Sequence, residues 1–549
     1  MAEGEGSGGT EDRKPKSDEA RSAFTPPAGM EPEALEEDQP TSEFTVPGGL
    51  AALPVEPEGS AFAPPATYSA QHSPPAYTPG QGFPVVRMPE SPWQDRMRTM
   101  LRMPVDVRPV PETVLKPSEA GPAVGRVLDL TLRIGELLLA GGEGAEDVEA
   151  AMLAVAHSYG LDRCEPTVTF TLLSITHQPS LVDDPVSASR TVRRRGTDYT
   201  RLAAVFRLVD DISAPEIGVS LEEAYRRLAV IRRNRHPYPT WVLTAAAGLL
   251  AGAASTLVGG GVLVFFAAVI GAILGDRLAW LCAGRGLPEF YQFVVAAMPP
   301  AAIGVALKLA EIDVRASAVI TGGLFALLPG RALVAGVQDG LTGFYITASA
   351  RLLEVMYLFI GIIMGVLVVL YLGLQLGASP KPEEVLQITQ RPLLQIGASM
   401  VLVFTFAILL QQERSTVWIV TLNGGVAWVT FGALHYAGGI PPVPSTAVAA
   451  GLVGLFGQLF SRYRFASALP YTTAAIGPLL PGSATYYGLL LIAENRLNEG
   501  LASLVNAAAI ALAIAIGVNL GSETSRLFMR IPGAASAAKR RAAKRTRGF

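Results

Sequence analysis

Near His236 the chain changes character: an Arg-rich stretch gives way to about ten apolar segments that fill almost everything up to Gly521. Each is roughly the 20 residues needed to cross a bilayer. Thr240 to Gly275, Pro444 to Phe460 and Phe465 to Ala493 hold no charged residue. The chain therefore reads as a polytopic, mostly α membrane protein, and its activity is bounded first by what a membrane separates.

The averages over 549 residues, 50% hydrophobic and 17% charged with a mean hydropathy of +0.35, conceal two unlike halves. A net charge of -3 identifies no partner and gives no reason to expect nucleic acid. Two cysteines, Cys164 in the soluble part and Cys282 in an apolar segment, do not support a disulfide framework. The acidic start MAEGEGSGGTEDRK lacks the apolar core of a cleavable signal, so the first insertion signal expected is the segment beginning at Thr240.

Orientation follows from basic residues. Arg526, Arg530, Lys539, Arg540, Arg541, Lys544, Arg545 and Arg547 follow the last span, and Arg226, Arg227, Arg232, Arg233 and Arg235 precede the first. Both ends are read as cytoplasmic, which requires an even number of spans. The loops agree more weakly: Arg277, Arg285, Arg331, Arg351, Arg414, Arg462 and Arg464 fall inside, against Lys308, Arg315, Lys381, Arg391 and Arg496 outside.

Six stretches are expected. Residues 1–117 form a disordered tail rich in Pro, Gly, Glu and Ser. Within it Trp93, Met97, Met100 and Leu101 recur at helical spacing among Arg96, Arg98 and Arg102, an amphipathic island that lies on the anionic leaflet or docks on the folded domain. Residues 118–238 form a soluble cytoplasmic α+β domain, with a helix ended by Gly141-Gly142, a second from Ala145 to Tyr159, and a strand from Val168 to Thr176 that Arg190 to Arg195 pairs with. Its last helix opens at the capping box Ser220-x-x-Glu223. A first five-helix unit (239–377), a connecting loop (378–392), a second five-helix unit (393–525) and a basic tail (526–549) follow.

The spans drawn are 240–259, 261–281, 290–308, 316–337, 352–376, 393–411, 416–436, 443–460, 465–486 and 501–521. They repeat. Leu327-Leu328-Pro329-Gly330 recurs as Leu479-Leu480-Pro481-Gly482, and at the same offset Thr321 matches Thr473, Gly336 matches Gly488 and Gly365 matches Gly517. Thr256-Leu257-x-Gly259-Gly260 also resembles Thr421-Leu422-x-Gly424-Gly425, suggesting that the second and seventh spans correspond, at a different offset. Because five is odd, two five-span halves face opposite ways, the inverted-repeat plan of many secondary transporters.

No Walker-type loop, His-Glu-x-x-His or Cys-x-x-Cys pair occurs, so no cofactor or metal is expected and an ion or substrate gradient is the expected energy source. The Pro-Gly pairs at Pro329, Gly330 and Pro481, Gly482 break helices where freed helix ends bind polar substrate, or are simple kinks. Arg331 is a candidate carboxylate ligand, against the alternative of a surface-seeking arginine; its repeat partner is Ser483. Asn423 either donates to substrate or bridges helices. Asp276, Asp339 and Glu354, at span ends, are candidate proton-coupling acids, against the favoured alternative of solvated helix ends. Pro299-Pro300 is a further break. In the soluble domain Glu136, Glu143, Glu146, Asp147, His157, Asp198 and Arg201 read as a solvated face, and Ser174, His177 and Asp183/Asp184 leave a hydrolase-like pocket open.

From Leu132-Arg133-Ile134-Gly135-Glu136 through Gly141-Gly142-Glu143-Gly144-Ala145-Glu146-Asp147-Val148-Glu149, then Val168-Thr169-Phe170-Thr171, Arg193-Arg194-Arg195-Gly196-x-Asp198-Tyr199-Thr200-Arg201-Leu202 and Leu221-Glu222-Glu223-Ala224, the chain resembles the threonine/serine exporter family over residues 120 to 525. The resemblance implies ten spans from two fused five-span units. It also implies a soluble N-terminal domain and export of threonine and serine from a bacterial cell, driven by the proton motive force. Related proteins with the halves on separate chains resemble dicarboxylate exporters, which is the alternative substrate class. From other classes, a membrane-tethered hydrolase or a sensor domain is the competing reading. Threonine, serine, protons and lipid are the expected partners, and assembly into a homo-oligomer is left open.

Overall fold

A computed structural model describes Gln94, Met97 and residues 124–528, apart from 181, 193–195, 197, 215–216, 235, 379–390 and 465. The expected tail, most of the island around Trp93, the 193–195 arginines and the basic tail beyond 528 lie outside the described residues.

Helix α1 (Val124–Ala140) ends where Gly142 takes a φ of 91°, and the Glu143 N–H reaches the Leu138 carbonyl at 3.2 Å. This is the left-handed cap that the glycine pair announces. Helix α2 (Ala145–Ser158) crosses α1 so closely that a Cβ on Gly135 would lie 2.9 Å from Met152 Sδ.

The stretch expected as one strand from Val168 to Thr176 is instead a hairpin. β1 (Cys164–Val168) and β2 (Leu172–His177) pair antiparallel, and the Thr169 N–H closes the turn on the Leu172 carbonyl. The turn resets the alternation, so Leu173 and Ile175 are buried beside Val168 while Leu172 stays exposed. β3 (Val186–Thr191) completes the sheet, pairing with β2 from Leu172–Thr191 to His177–Val186. Helix α3 (Tyr199–Ser213) is capped by Asp198, whose carboxylate accepts the Arg201 N–H at 2.9 Å. Helix α4 (Leu221–Arg233) is capped by Ser220, as the capping box anticipates.

The apolar half comprises α5 (Thr240–Leu257), α6 (Val262–Gly284), α7 (Glu289–Leu309), α8 (Ala316–Phe325), α9 (Gly330–Thr342), α10 (Tyr345–Gln375), α11 (Pro392–Leu409), α12 (Arg414–Gly432, continued by a π turn over Ala433–Ala437), α13 (Pro442–Tyr463), α14 (Leu469–Thr473), α15 (Gly482–Ala493) and α16 (Leu497–Phe528). Among the described residues eight helices are long and apolar enough to cross a membrane, or up to nine when α8 and α9, bent by 52° at their junction, count as one. The expected ninth span, 465–486, is not a continuous helix. It is divided into α14, a 3₁₀ turn over Gly477–Leu479, and α15, because Pro470, Pro478 and Pro481 each lack the N–H that a helix needs. Pro299 and Pro300, expected to break the third span, lie inside a continuous α7; Gly271 and Gly323 pack against Pro300 there.

The two halves keep one offset of 152 residues from start to finish: Thr240 and Pro392, Val262 and Arg414, Gly330 and Gly482, and Tyr345 and Leu497 each open a helix. The Thr-Leu-x-Gly-Gly likeness is therefore out of register, since Thr256 ends α5 whereas Thr421 lies inside α12. Contacts repeat as well. A Cβ on Gly365 would lie 2.2 Å from the Val294 carbonyl, and one on Gly517 would lie 2.3 Å from the Ala447 carbonyl. Small residues thus draw α10 onto α7 and α16 onto α13, the packing that replaces hydrophobic burial in lipid. Trp241, Val262 and Leu393 point outward and exposed, as a lipid-facing surface requires.

Candidate functional site

The two Leu-Leu-Pro-Gly sequences fold alike. Pro329 has φ −80° and ψ 50°, Pro481 has −81° and 48°, and in each the following glycine N–H bonds back to the preceding leucine carbonyl, at 2.8 and 2.9 Å. These are inverse γ-turns, and each sits directly before the helix that its glycine opens. The breaks also touch. Gly330 faces the Leu480 side chain and Gly482 faces the Phe325 ring, with a Cβ on Gly482 placed 2.4 Å from Phe325 Cε2. The two breaks are thus brought together at the contact between the halves, where the buried Thr485 hydroxyl donates to the Pro481 carbonyl at 2.8 Å.

Arg331, the first side chain after one break, turns to the soluble domain. Its Nη1 donates to the carbonyls of Gly141 at 3.2 Å and Gly196 at 3.1 Å. Nearby, the Tyr199 hydroxyl donates to Thr473 Oγ1 at 3.2 Å, and burial pushes the phenol above its ordinary pKa, with Arg331 opposing the shift.

At the far end of α9, Asp339 is fully buried. Its Oδ1 accepts the Ala145 N–H at 2.8 Å and its Oδ2 lies 3.1 Å from Arg351 Nε. Arg351 in turn donates to the Glu143 carbonyl at 2.6 Å. The N-terminus of α2, preceded by Gly144 and without a side-chain cap of its own, is therefore capped by an acid from the apolar half. The same domain reaches other turns: Tyr199 and Thr200 donate backbone N–H groups to Leu410 and Gln411, Arg207 pairs with Glu413, and Ser467 Oγ donates to Glu143 at 2.7 Å.

Between these bodies lies a cavity of about 560 Å³. Glu143, Glu146 and Asp147 line it from the soluble domain; Arg462, at the end of α13, and Glu523, on α16, line it from the other. Glu143, Glu146, Asp147 and Arg462 are each buried, at 4, 7, 7 and 4% exposure. The reading of these three acids as a solvated face is corrected: α2 turns its first residues into the protein. The available signal was their placement right after Gly141-Gly142 and Gly144, where a side chain would have kept the neighbouring chain away; Gly142 abuts Arg331 and Gly144 abuts Gln338. One turn on, burial pushes the Glu149 carboxyl up to about 7, although it accepts the Val168 N–H at 2.9 Å.

The other candidates stand apart. Asn423 Nδ2 donates to the Val453 and Tyr471 carbonyls, tying α12 to α13 and α14. Asp276 is exposed on α6 near Arg277, at 3.9 Å, and Glu354 is half-buried on α10 one turn beyond Arg351. Ser174 and His177 are three apart on β2 and so lie on opposite faces; His177 is buried against Cys164 Sγ at 3.5 Å. No Ser-His pair forms, and the hydrolase-like reading loses its nucleophile and base. Glu136 pairs with Arg190 across α1 and β3.

Two family models match. One, described as "Putative threonine/serine exporter", covers residues 129–373, and the other, "Threonine/Serine exporter, ThrE", covers 395–523. A probable threonine/serine exporter of Mycobacterium tuberculosis (strain ATCC 25618 / H37Rv) is 35% identical over 406 residues, 72% of this chain and 76% of that protein. A threonine/serine exporter of Corynebacterium glutamicum is 29% identical over 425 residues, 74% of this chain and 84% of that protein. No solved structure matches.

Proposed function

We propose, from the premise that this chain belongs to the threonine/serine exporter family, that it exports threonine and serine across a bacterial plasma membrane as a proton-driven secondary carrier. The observation that carries the mechanism is the contact between two breaks of identical backbone conformation. Two inverted five-helix halves bring the breaks together where the halves meet, beside the domain that precedes them, and C=O groups at such breaks offer a substrate the hydrogen bonds that lipid cannot. Rocking of one half about these breaks exposes the site alternately to the two sides, with both termini in the cytoplasm.

Among the three acids, Asp339 is the coupling candidate that the geometry favours. It is buried, faces Arg351 and begins the contact with α2, so gain or loss of its proton alters a charge that the domain interface feels. Proton antiport supplies the energy without ATP. A small dicarboxylate is the alternative substrate.

Counterflow of labelled threonine, serine and succinate in proteoliposomes, with an imposed pH gradient, tests this. Threonine and serine uptake that a protonophore abolishes supports it; transport of succinate alone, or a requirement for ATP, overturns it. Arg331 is resolved in the same assay. A carboxylate ligand predicts a raised KM in Arg331→Ala and a smaller rise in Arg331→Lys, whereas a purely docking role predicts easier proteolysis of the soluble domain with KM unchanged.

A further inference from the structure

We propose that Gly196 and the Tyr199-Thr200 start of α3 form a latch that ties the soluble domain across both breaks and must let go for the two halves to rock. The inference rests on the export reading above and gives a task to the Gly196-x-Asp198-Tyr199-Thr200 motif, which that reading leaves without one. Gly196 is pinned to the end of α1, its N–H donating to the Ala140 carbonyl at 3.0 Å, and its own carbonyl accepts Arg331 Nη1 at 3.1 Å. Tyr199, 1% exposed, donates its hydroxyl to Thr473 Oγ1 at 3.2 Å. Its N–H and that of Thr200 donate to the Leu410 and Gln411 carbonyls at 3.2 and 3.0 Å, and Thr200 Oγ1 also donates to Gln411 at 2.6 Å.

These partners belong to parts that rocking moves against each other. Arg331 follows the first break, whereas Thr473 lies on α14, eight residues before Pro481 at the second. A rotation of one half against the other changes the distance between them, and one short stretch of the soluble domain cannot stay on both. Asp198 caps α3 by accepting the Arg201 N–H, so the start of this helix is held in shape and does not unwind to bridge a gap. On release, water replaces each of these hydrogen bonds, which keeps the net cost of each small and the step reversible.

The repeat shows what the latch replaces. At the offset of 152, Leu410 and Gln411 correspond to Val258 and Gly259, whose carbonyls accept Arg315 Nη1 at 3.5 and 3.4 Å. Arg315 lies just before α8, inside the first half. Its counterpart in the second half is Ser467, too short for that reach, and Ser467 Oγ donates instead to Glu143 of the soluble domain at 2.7 Å. Each half thus has the same turn held, the first by its own arginine and the second by α3. In the inverted arrangement the two turns face opposite sides, so the soluble domain controls access from one side alone.

Reversible cross-linking of the full-length protein in proteoliposomes tests the latch. Arg207 on α3 pairs with Glu413, next to the held turn, and both side chains reach solvent. In Arg207→Cys/Glu413→Cys a short bis-methanethiosulfonate linker should cut threonine transport about tenfold or more, and a reductant should restore it. Each single-cysteine variant, treated alike, gives the background from Cys164 and Cys282. A second measurement needs no transport. Tyr199→Phe/Thr200→Val keeps both shapes but removes the side-chain hydrogen bonds to Thr473 and Gln411. Added to Ser483→Cys, it should speed labelling of position 483, directly after the second break, by a water-soluble maleimide in detergent, about fivefold or more. Linked protein that transports threonine as fast as the reduced protein, or labelling unchanged by the double substitution, overturns the latch and leaves the export reading standing. A wild-type protein that moves neither threonine nor serine overturns the export reading, and the labelling then decides the latch by itself.

Discussion

The carboxylate of Asp339 accepts a hydrogen bond from the backbone N–H of Ala145 at 2.8 Å, across 194 residues of chain. A helix of the soluble domain is thereby capped from the apolar half. The same acid faces Arg351, which donates to the Glu143 carbonyl just before the capped helix, so two paired side chains hold one turn.

That arrangement makes Asp339→Asn costly. The amide still accepts from Ala145, but the buried Arg351 loses the charge of Asp339, a loss of up to about 3–5 kcal/mol. Thermal unfolding in detergent should show a clear drop in Tm, with part of it regained in Asp339→Asn/Arg351→Met. A wild-type Tm in Asp339→Asn would mean that the pair carries no net stability.

Glycine at the two breaks is not equally replaceable. A Cβ at 482 meets the Phe325 ring at 2.4 Å, whereas one at 330 meets the movable end of Leu480 at 3.1 Å. Gly482→Ala should therefore slow transport severely and Gly330→Ala mildly, with Phe325→Leu partly rescuing the former. Equal effects from the two substitutions, or no rescue, would show that the breaks do not pack against each other in the working protein.

Glu149 sets a pH dependence. Burial raises its pKa from 4.5 to about 7, so between those values the folded protein holds a proton that the unfolded chain has released. Stability from this group is complete below 4.5 and falls as pH rises to about 7, by at most about 3 kcal/mol. The Tm of wild type should fall relative to Glu149→Gln between pH 5 and pH 8. Parallel curves for the two proteins would remove Glu149 as the cause.

Sidedness can be read from single cysteines in described turns. Arg391→Cys should react with a membrane-impermeant thiol reagent on intact cells, and Arg464→Cys should react only after lysis. The reverse pattern would invert the topology and place the soluble domain outside.

The sequence by itself determined the membrane class, the ends of most helices, the doubled plan and the positions of the two breaks, because each is a local property. A run of apolar residues, a proline without an N–H, a glycine pair after a helix and a motif repeated at constant offset act on their own few residues wherever those come to lie. The hairpin was misread because alternation alone does not show where the parity resets; the core's claim on Leu173 and Ile175 decided it. The tertiary structure alone decided what the charged residues do. Acids in a first helical turn look solvated in one dimension, yet α2 turns Glu146 and Asp147 inward because Asp339, almost two hundred residues away, supplies the cap that its own Gly144 lacks. Arg331 likewise found its partners on Gly141 and Gly196, in a separate part of the chain. Electrostatic and hydrogen-bonding roles depend on which distant segments meet, and no window of sequence contains that.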